Sequence, residues 1–257
     1  MSIVADNISL HLAGFDLLRN INLSVEAGQV TVLVGPNGAG KSSLLKVLTG
    51  ELNPSQGAVW LNQRKLSQWA IQDKANVLAV LPQHSELNFP FTANEVVSLG
   101  CIPHTTGYAV DQKIIADALQ MVDANYLEQR LYTQMSGGEK QRVQLARVLA
   151  QIWCPNSLGE QFLVLDEPTA AFDLAHQQMT LDIVKQFSQR GVGVFMVVHD
   201  LNLAARCADN LVVVNGGVIE AFGSPDKILT EQLVEKVFEV KATISSHPTA
   251  NTPLVIT

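Results

Sequence analysis

The sequence predicts an α/β fold with an antiparallel β region at its start and an all-helical insertion in its middle. Three observations carry that reading. A glycine-rich loop over residues 35–43 lies between a short apolar run and a helical apolar pattern. Two further apolar runs, 162–165 and 194–198, end in charged residues, as buried parallel strands do. Between residues 90 and 153 no strand pattern occurs, and apolar residues recur at helical spacing.

The loop comes first because its chemistry is the most specific. Val30, Thr31, Val32, Leu33 and Val34 precede it, and Leu44, Leu45, Val47 and Leu48 line one face of the helix that should follow. Gly35, Pro36, Asn37, Gly38, Ala39, Gly40, Lys41, Ser42 and Ser43 match G-x-x-x-x-G-K-[ST] in a strand–loop–helix context. Glycines let the backbone turn tightly, so that successive N–H groups can surround phosphate oxygens. The helix N-terminus adds positive field, Lys41 brings a charge to the β/γ-phosphates, and Ser42 offers a hydroxyl to Mg²⁺. A glycine turn that binds nothing would not need the Lys41–Ser42 pair. The stretch reads as a nucleoside triphosphate site.

Composition narrows the partners. A chain of 257 residues, 47% hydrophobic, can bury a core for one domain or two closely joined ones. A net charge of −7 argues against a surface that neutralises nucleic-acid phosphates, so no nucleic-acid partner is expected. Cys101, Cys154 and Cys207 are scattered without a C-x-x-C pair, which fits reduced thiols in a cytosolic protein. Residues 1–6 lack the basic region of a signal peptide. No apolar run reaches the roughly 18–20 residues of a membrane span. Any membrane role is therefore expected to come through a partner.

In chain order, 3–10 and 21–25 alternate with period two and read as strands, with 11–15 as a turn region. Residues 52–57 form a turn, Val59 and Leu61 mark another strand, and 77–81 is a short strand ending at Pro82 and Gln83. Thr92 with Glu95 makes a capping box that opens the helical insertion, within which Ile114, Ile115, Ala118, Met121 and Val122 keep helical spacing. The insertion closes with a second capping box, Ser136 with Glu139, ahead of a helix faced by Val143, Ala146, Leu149 and Ile152. Gly137 and Gly138 would each cost about 1 kcal/mol relative to alanine inside a helix. A plain helix start would not need them, so they point to an anion approached by the backbone.

The strand at 162–165 ends in Asp166 and Glu167, and that at 194–198 in His199 and Asp200. The C-terminal edge of an α/β sheet is where ligands bind. There Asp166 can hold Mg²⁺ through water, and Glu167 can accept a proton from an attacking water. Either group alone would be an ordinary polar strand end; convergence with Lys41 favours the functional reading. Later, 212–219 is a hairpin with Asn215 and Gly216 at its turn, and Ser224–Pro225 starts a helix. Beyond Lys241 the Ser, Thr and Pro content predicts a loosely attached tail.

Together these residues resemble the ATP-binding subunits of ABC transporters, up to about residue 240. The 35–43 loop is similar to Walker A, Gln83 to the Q-loop glutamine, and Ser136, Gly137 and Gly138 to the signature motif. Phe162 to Glu167 is similar to Walker B with its catalytic glutamate, Asp173 to the D-loop aspartate, and His199 to the switch histidine. The resemblance implies a P-loop NTPase (RecA-like) core over 1–89 and 154–240, a helical subdomain over 90–153, and a C-terminal tail over 241–257. It also implies ATP and Mg²⁺, with Ser42, Gln83 and Asp166 on the metal. Glu167 would activate water, His199 would contact the γ-phosphate, and Gln83 would sense Mg²⁺ and water.

Two such subunits would pair head-to-tail, each ATP closing between Walker A of one and Ser136, Gly137, Gly138 and Glu139 of the other. Implied partners are a second copy, two transmembrane permease subunits docked on the helical insertion and, indirectly, a substrate-binding protein. The implied location is the cytoplasmic face of the inner membrane, as a peripheral subunit.

Four positions depart from the family pattern. Met135 stands for the usual leucine, Glu139 for glutamine, Phe172 for leucine and Cys101 for arginine. Glu139 is compatible with a nearby triphosphate if its charge turns back to the helix start. For the adenine, Phe15 and His11 both stand open. Stretches 81–84, 89–92 and 99–104 look like the importers of haem, ferric siderophores and cobalamin, and within them Phe-Pro-Phe-Thr at 89–92 and Pro103–His104, with 173–177, are closest to the haem (haemin) members. His84, Cys101 and His104 are expected to report which permease docks, and not to ligate haem. A soluble ABC ATPase is disfavoured because the chain has one cassette and no coiled-coil or zinc insertion. A nucleotide kinase would leave the Ser136 helix unexplained.

Overall fold

A computed structural model describes residues 1–83, 87, 89–104, 106–250 and 252–257. His84 lies outside the described residues. In chain order the elements are β1 (Ser2–Leu12), β2 (Phe15–Glu26), β3 (Val30–Val34), α1 (Lys41–Thr49), β4 (Gln56–Leu61), β5 (Arg64–Lys65), α2 (Ile71–Val77) and β6 (Leu78–Leu81). Then come α3 (Ala93–Ser98), α4 (Tyr108–Met121), α5 (Gly137–Gln151), β7 (Phe162–Asp166), α6 (Leu174–Gln189), β8 (Gly193–Val197) and α7 (Leu201–Cys207). The chain ends with β9 (Asn210–Asn215), β10 (Val218–Gly223), α8 (Pro225–Ile228), α9 (Glu231–Phe238), β11 (Thr243–Ser246) and β12 (Pro253–Ile256).

Six strands form the central sheet in the order β10-β9-β3-β8-β7-β6, parallel except at the β9–β10 hairpin. Strands β3, β7 and β8 are buried along their whole length. Period-two alternation divides their side chains between two cores. Val32, Leu163, Leu165, Val194 and Met196 pack with the apolar faces of α3, α4, α5 and α6. Leu33, Phe162, Val164, Phe195 and Val197 pack with α1 and the antiparallel sheet β2-β1-β4-β5. Full burial of each such side chain contributes about 1.5–3 kcal/mol. The helical insertion is thus attached to one face of the sheet by its own apolar stripe.

Both expected capping boxes form, at Thr92–Glu95 and at Ser136–Glu139. Elsewhere the expectations need correction. The 11–15 turn region shrinks to Ala13 and Gly14, whose positive φ angles of 51° and 85° let β1 run to Leu12, paired with Phe15. Val77 closes α2, so β6 begins one residue later. The 212–219 hairpin turns at Gly216 and Gly217 (φ 52° and 77°), not at Asn215, which pairs with Val218. The described residues of the expected tail, 241–250 and 252–257, are not loose. They form the antiparallel β11–β12 hairpin, and Asn202 of α7 both donates to Val255 O (3.0 Å) and accepts from Val255 N (2.7 Å). That amide gives the hairpin a hydrogen-bonding edge, which its Ser, Thr and Pro content does not reveal.

Candidate active site

The phosphate loop is shaped by contacts at which a side chain would not fit. Gly35 ends β3 so close to β9 that a Cβ there would lie 2.2 Å from Val214 O. Gly38 and Gly40 have φ angles of 77° and 102°, and a Cβ on Gly40 would lie 2.9 Å from Leu17 O. The β9–β10 turn braces the loop from behind, with Gly217 N donating to Ala39 O (3.0 Å) and Arg19 N donating to Gly217 O (2.8 Å). Pro36 is half-buried, Asn37 and Gly38 are exposed, and Lys41, Ser42 and Ser43 form the first turn of α1.

Lys41 is buried, and its Nζ donates to Gly35 O (2.8 Å) and Pro36 O (2.9 Å). Burial lowers its pKa below the usual lysine value, while Glu167 and Asp166 pull it back up. The ammonium therefore sits in the field of both carboxylates, with its donors already aimed across the loop.

Parallel strands deliver the rest. Glu167 follows β7, Gln83 lies two residues past β6, and His199 lies two residues past β8. They meet at one carboxylate: Gln83 Nε2 donates to Glu167 Oε2 (2.9 Å), and His199 Nε2 pairs with Glu167 Oε1. Glu167 has φ 50°, a left-handed conformation that costs a non-glycine residue about 1–2 kcal/mol. Its backbone is pinned by Glu167 N donating to Val197 O (3.1 Å) and by Gln141 Nε2 donating to Glu167 O (3.3 Å) and to the next carbonyl, Pro168 O (2.8 Å). Such strain persists where surrounding contacts over-determine it, commonly at functional sites.

Asp166 is buried, and its Oδ1 has no hydrogen-bond partner. Burial first, then the neighbouring Glu167 charge, raises its pKa above the ordinary aspartate value; Lys46, His199 and Lys41 oppose the rise. Among the described residues no group of three His, Cys, Asp or Glu side chains could hold a metal by itself. An orphaned carboxylate oxygen near a phosphate loop nonetheless fits Mg²⁺, which takes one or two carboxylates and completes its shell with water and substrate phosphates.

The start of α5 is built differently. Ser136 and Gly137 are exposed, and a Cβ on Gly137 would meet nothing within 4 Å. Glu139 does turn back, as expected: Ser136 N donates to its Oε2 (2.7 Å), while Arg130 Nη1 (3.1 Å) and Tyr126 OH (3.3 Å) donate to its Oε1. Hydrogen bonds from Ser136, with help from Arg130 and Tyr126, hold its pKa below the usual glutamate value. Gly137 and Gln141 of α5 line, together with Gln83 and Glu167, a cavity of about 360 Å³. Asp173 caps α6, accepting from His176 N (2.9 Å) and pairing with His176 Nδ1 (2.8 Å). Phe15 is exposed, while His11 is paired with Asp16.

Sequence reasoning missed Gln141 and Arg130. Their signal was spacing: Gln141 lies one helical turn past Gly137 on the Glu167 side, and Arg130 precedes the helix it braces. Neither residue type announces such a role by itself.

The ABC transporter family model matches residues 18–170 of this chain. The chain is 46% identical over 257 residues to the hemin import ATP-binding protein HmuV of Photobacterium profundum, covering 100% of this chain and 91% of that one. Against the hemin import ATP-binding protein HmuV of Pseudomonas aeruginosa it is 43% identical over 251 residues, covering 98% of each. Among solved structures, an ATP binding subunit of an ABC transporter superposes with a TM-score of 0.79 at 21% identity, covering 94% of this chain and 95% of that one. A dimeric ATP-binding cassette in a post-hydrolysis state with ADP and Pi superposes with a TM-score of 0.76 at 23% identity, covering 86% and 98%. At those identities the superpositions bear on the fold alone.

Proposed function

Since the chain belongs to the ABC transporter family of ATP-binding proteins, we propose that it is the ATP-hydrolysing subunit that energises a haemin importer. The hydrolytic part rests on one observation: the Glu167 carboxylate is held between Gln83 and His199 at the sheet edge that also carries Lys41. The cargo rests on similarity to hemin import proteins along the whole chain.

In this reading the phosphates of ATP displace the Gly35 and Pro36 carbonyls as partners of Lys41. The N–H groups of residues 38–43 face the β- and γ-oxygens at the helix N-terminus. Ser42, Gln83 and Asp166 would hold Mg²⁺, which would supply positive charge to offset that of the phosphate oxygens. Glu167 orients the attacking water and accepts its proton, while His199 leaves the carboxylate to meet the γ-phosphate. Asp173 stands at the α6 start beside the partner subunit.

The site is completed by a second copy, arranged head-to-tail, that brings Ser136, Gly137, Gly138 and Glu139 to the same ATP. Residues 90–153 form the subdomain that docks on two permease subunits, with 1–89 and 154–240 as the nucleotide-binding core. The complex lies on the cytoplasmic face of the inner membrane and receives cargo from a substrate-binding protein. Among the described residues no helix is long and apolar enough to cross a membrane, so the chain joins that complex as a peripheral subunit.

The test is ATP hydrolysis by the assembled transporter with a haemin-loaded binding protein, which should accelerate turnover. Haemin titrated into the isolated chain should bind no better than to a control protein. Acceleration by a ferric-siderophore or cobalamin carrier and not by the haemin carrier would replace the cargo and leave the importer ATPase in place.

A further inference from the structure

Glu139 poses an electrostatic problem that the family pattern, with glutamine there, does not have. Its carboxylate occupies the third position of α5, one residue past Gly138, where an unopposed charge would repel an incoming triphosphate. Both of its oxygens are engaged, and its side chain is only 15% exposed against 45% for Arg130. Arg130 is itself held in place. Its Nη2 donates to Gln134 O (3.0 Å), and its backbone N donates to Leu127 O (2.8 Å). Behind it, the buried Arg142 donates to Tyr126 OH (2.7 Å), which leaves the Tyr126 hydrogen free to donate to Glu139. Two arginines therefore stand behind one glutamate at the base of an exposed glycine turn.

We infer that Arg130 is a positioning residue for ATP closure: it holds the Glu139 carboxylate against the start of α5 and cancels its charge, so that the Ser136–Gly138 turn can receive a triphosphate. This rests on the reading that a second copy's ATP docks on that turn. Without Arg130 the capping box still forms through Ser136, but the carboxylate loses its one direct cationic partner and faces the phosphates with only Tyr126 and the more distant Arg142 to oppose its charge. The penalty belongs to the pair. It should appear when Arg130 is removed from a chain carrying glutamate, and vanish when position 139 is neutral.

The experiment is a double-mutant cycle on the full chain, measuring the ATP concentration that half-saturates hydrolysis and ATP-driven dimer formation. Arg130→Ala in the wild-type chain should raise that concentration roughly fivefold, the scale of a partly screened charge pair, with kcat changed much less. The same substitution made in a Glu139→Gln chain should shift it less than about twofold, since no charge is left to oppose. Equal shifts in both backgrounds would make Arg130 a structural brace and overturn the inference, as would no shift in either. Should Arg130→Ala fail to fold, Arg130→Gln run through the same cycle carries the comparison. If the wild-type chain forms no ATP-dependent dimer at all, the docking reading falls and this inference with it.

Discussion

The Lys41–Glu167 edge and the start of α5 are both proposed to meet phosphate, yet they are built to opposite plans. At the first, the two charged groups that frame the loop are engaged within the chain, Lys41 by loop carbonyls and Glu167 by Gln83 and His199, and only Asp166 keeps an unpartnered oxygen. Gly35 and Gly40 are forced by backbone 2.2 and 2.9 Å from where a Cβ would stand, and Gly38 by its φ of 77°. At the second, Gly137 faces open space, and only Glu139, the one charge in the turn, is tied back. A glycine with no neighbour has no packing reason to be glycine. The difference teaches that the first half-site is braced by its own fold, while the second leaves Gly137 open, as the proposed docking of a second copy requires.

The largest effect expected lies on the braced side. Glu167→Gln should retain ATP binding while lowering turnover by about 10²–10⁴-fold, the contribution of a positioned base. Gel filtration with ATP should then show a persistent dimer; undiminished hydrolysis would remove Glu167 from the role. A mixed dimer tests whether the two plans meet. Lys41→Ala in one protomer and Ser136→Arg in the other should spoil the same site and leave its companion intact. ATP binding should then fall to roughly half, as two-fold symmetry requires. Loss of both sites would break the head-to-tail arrangement.

Glycine substitutions sharpen the contrast directly. Gly35→Ala should destabilise the chain by about 1–3 kcal/mol in urea unfolding, because its Cβ has nowhere to go. Gly137→Ala should stay within about 0.5 kcal/mol of wild type, yet lose ATP-driven dimer formation. Comparable destabilisation at both positions would erase the distinction.

The smallest effect is a gain. Burial and Glu167 hold the Asp166 pKa above its ordinary value, so the folded state binds that proton more tightly than the unfolded state. Its contribution is intact below the ordinary carboxylate range and is lost as pH rises through the raised pKa. At pH 7 the ionised group therefore costs stability, and Asp166→Asn should slightly raise the Tm of the nucleotide-free chain. That advantage should shrink as pH falls into the carboxylate range, and an advantage that grew in acid would contradict it.

Much of this was legible because it is local. A capping box joins residues three apart, so Thr92–Glu95 and Ser136–Glu139 could be read directly from spacing and form as read. The strand–loop–helix around Lys41 lies within twenty residues, and the ends of β7 and β8 announced themselves by apolar runs meeting charge. Where the reading failed, the deciding partner was distant or the pattern weak. Helix α2 was missed because it buries little, and its first residue, Ile71, is 83% exposed. The β9–β10 turn was misplaced by one position because either adjacent residue pair supplies a residue that tolerates positive φ.

By itself, then, the amino-acid order determined which segments are strands and helices at the site, and which residue types each strand end carries. It could not decide who meets whom. Gln83 and His199 reach Glu167 across 84 and 32 residues of chain. Asn202 turns a Ser- and Thr-rich tail into a docked hairpin from 53 residues away. Arg130 and Tyr126 donate to a glutamate on a helix to which neither belongs. Local preferences follow from dihedral and hydrogen-bonding rules that act over a few residues. Long-range encounters depend on strand order, and that is settled only when two apolar cores close on opposite faces of one sheet.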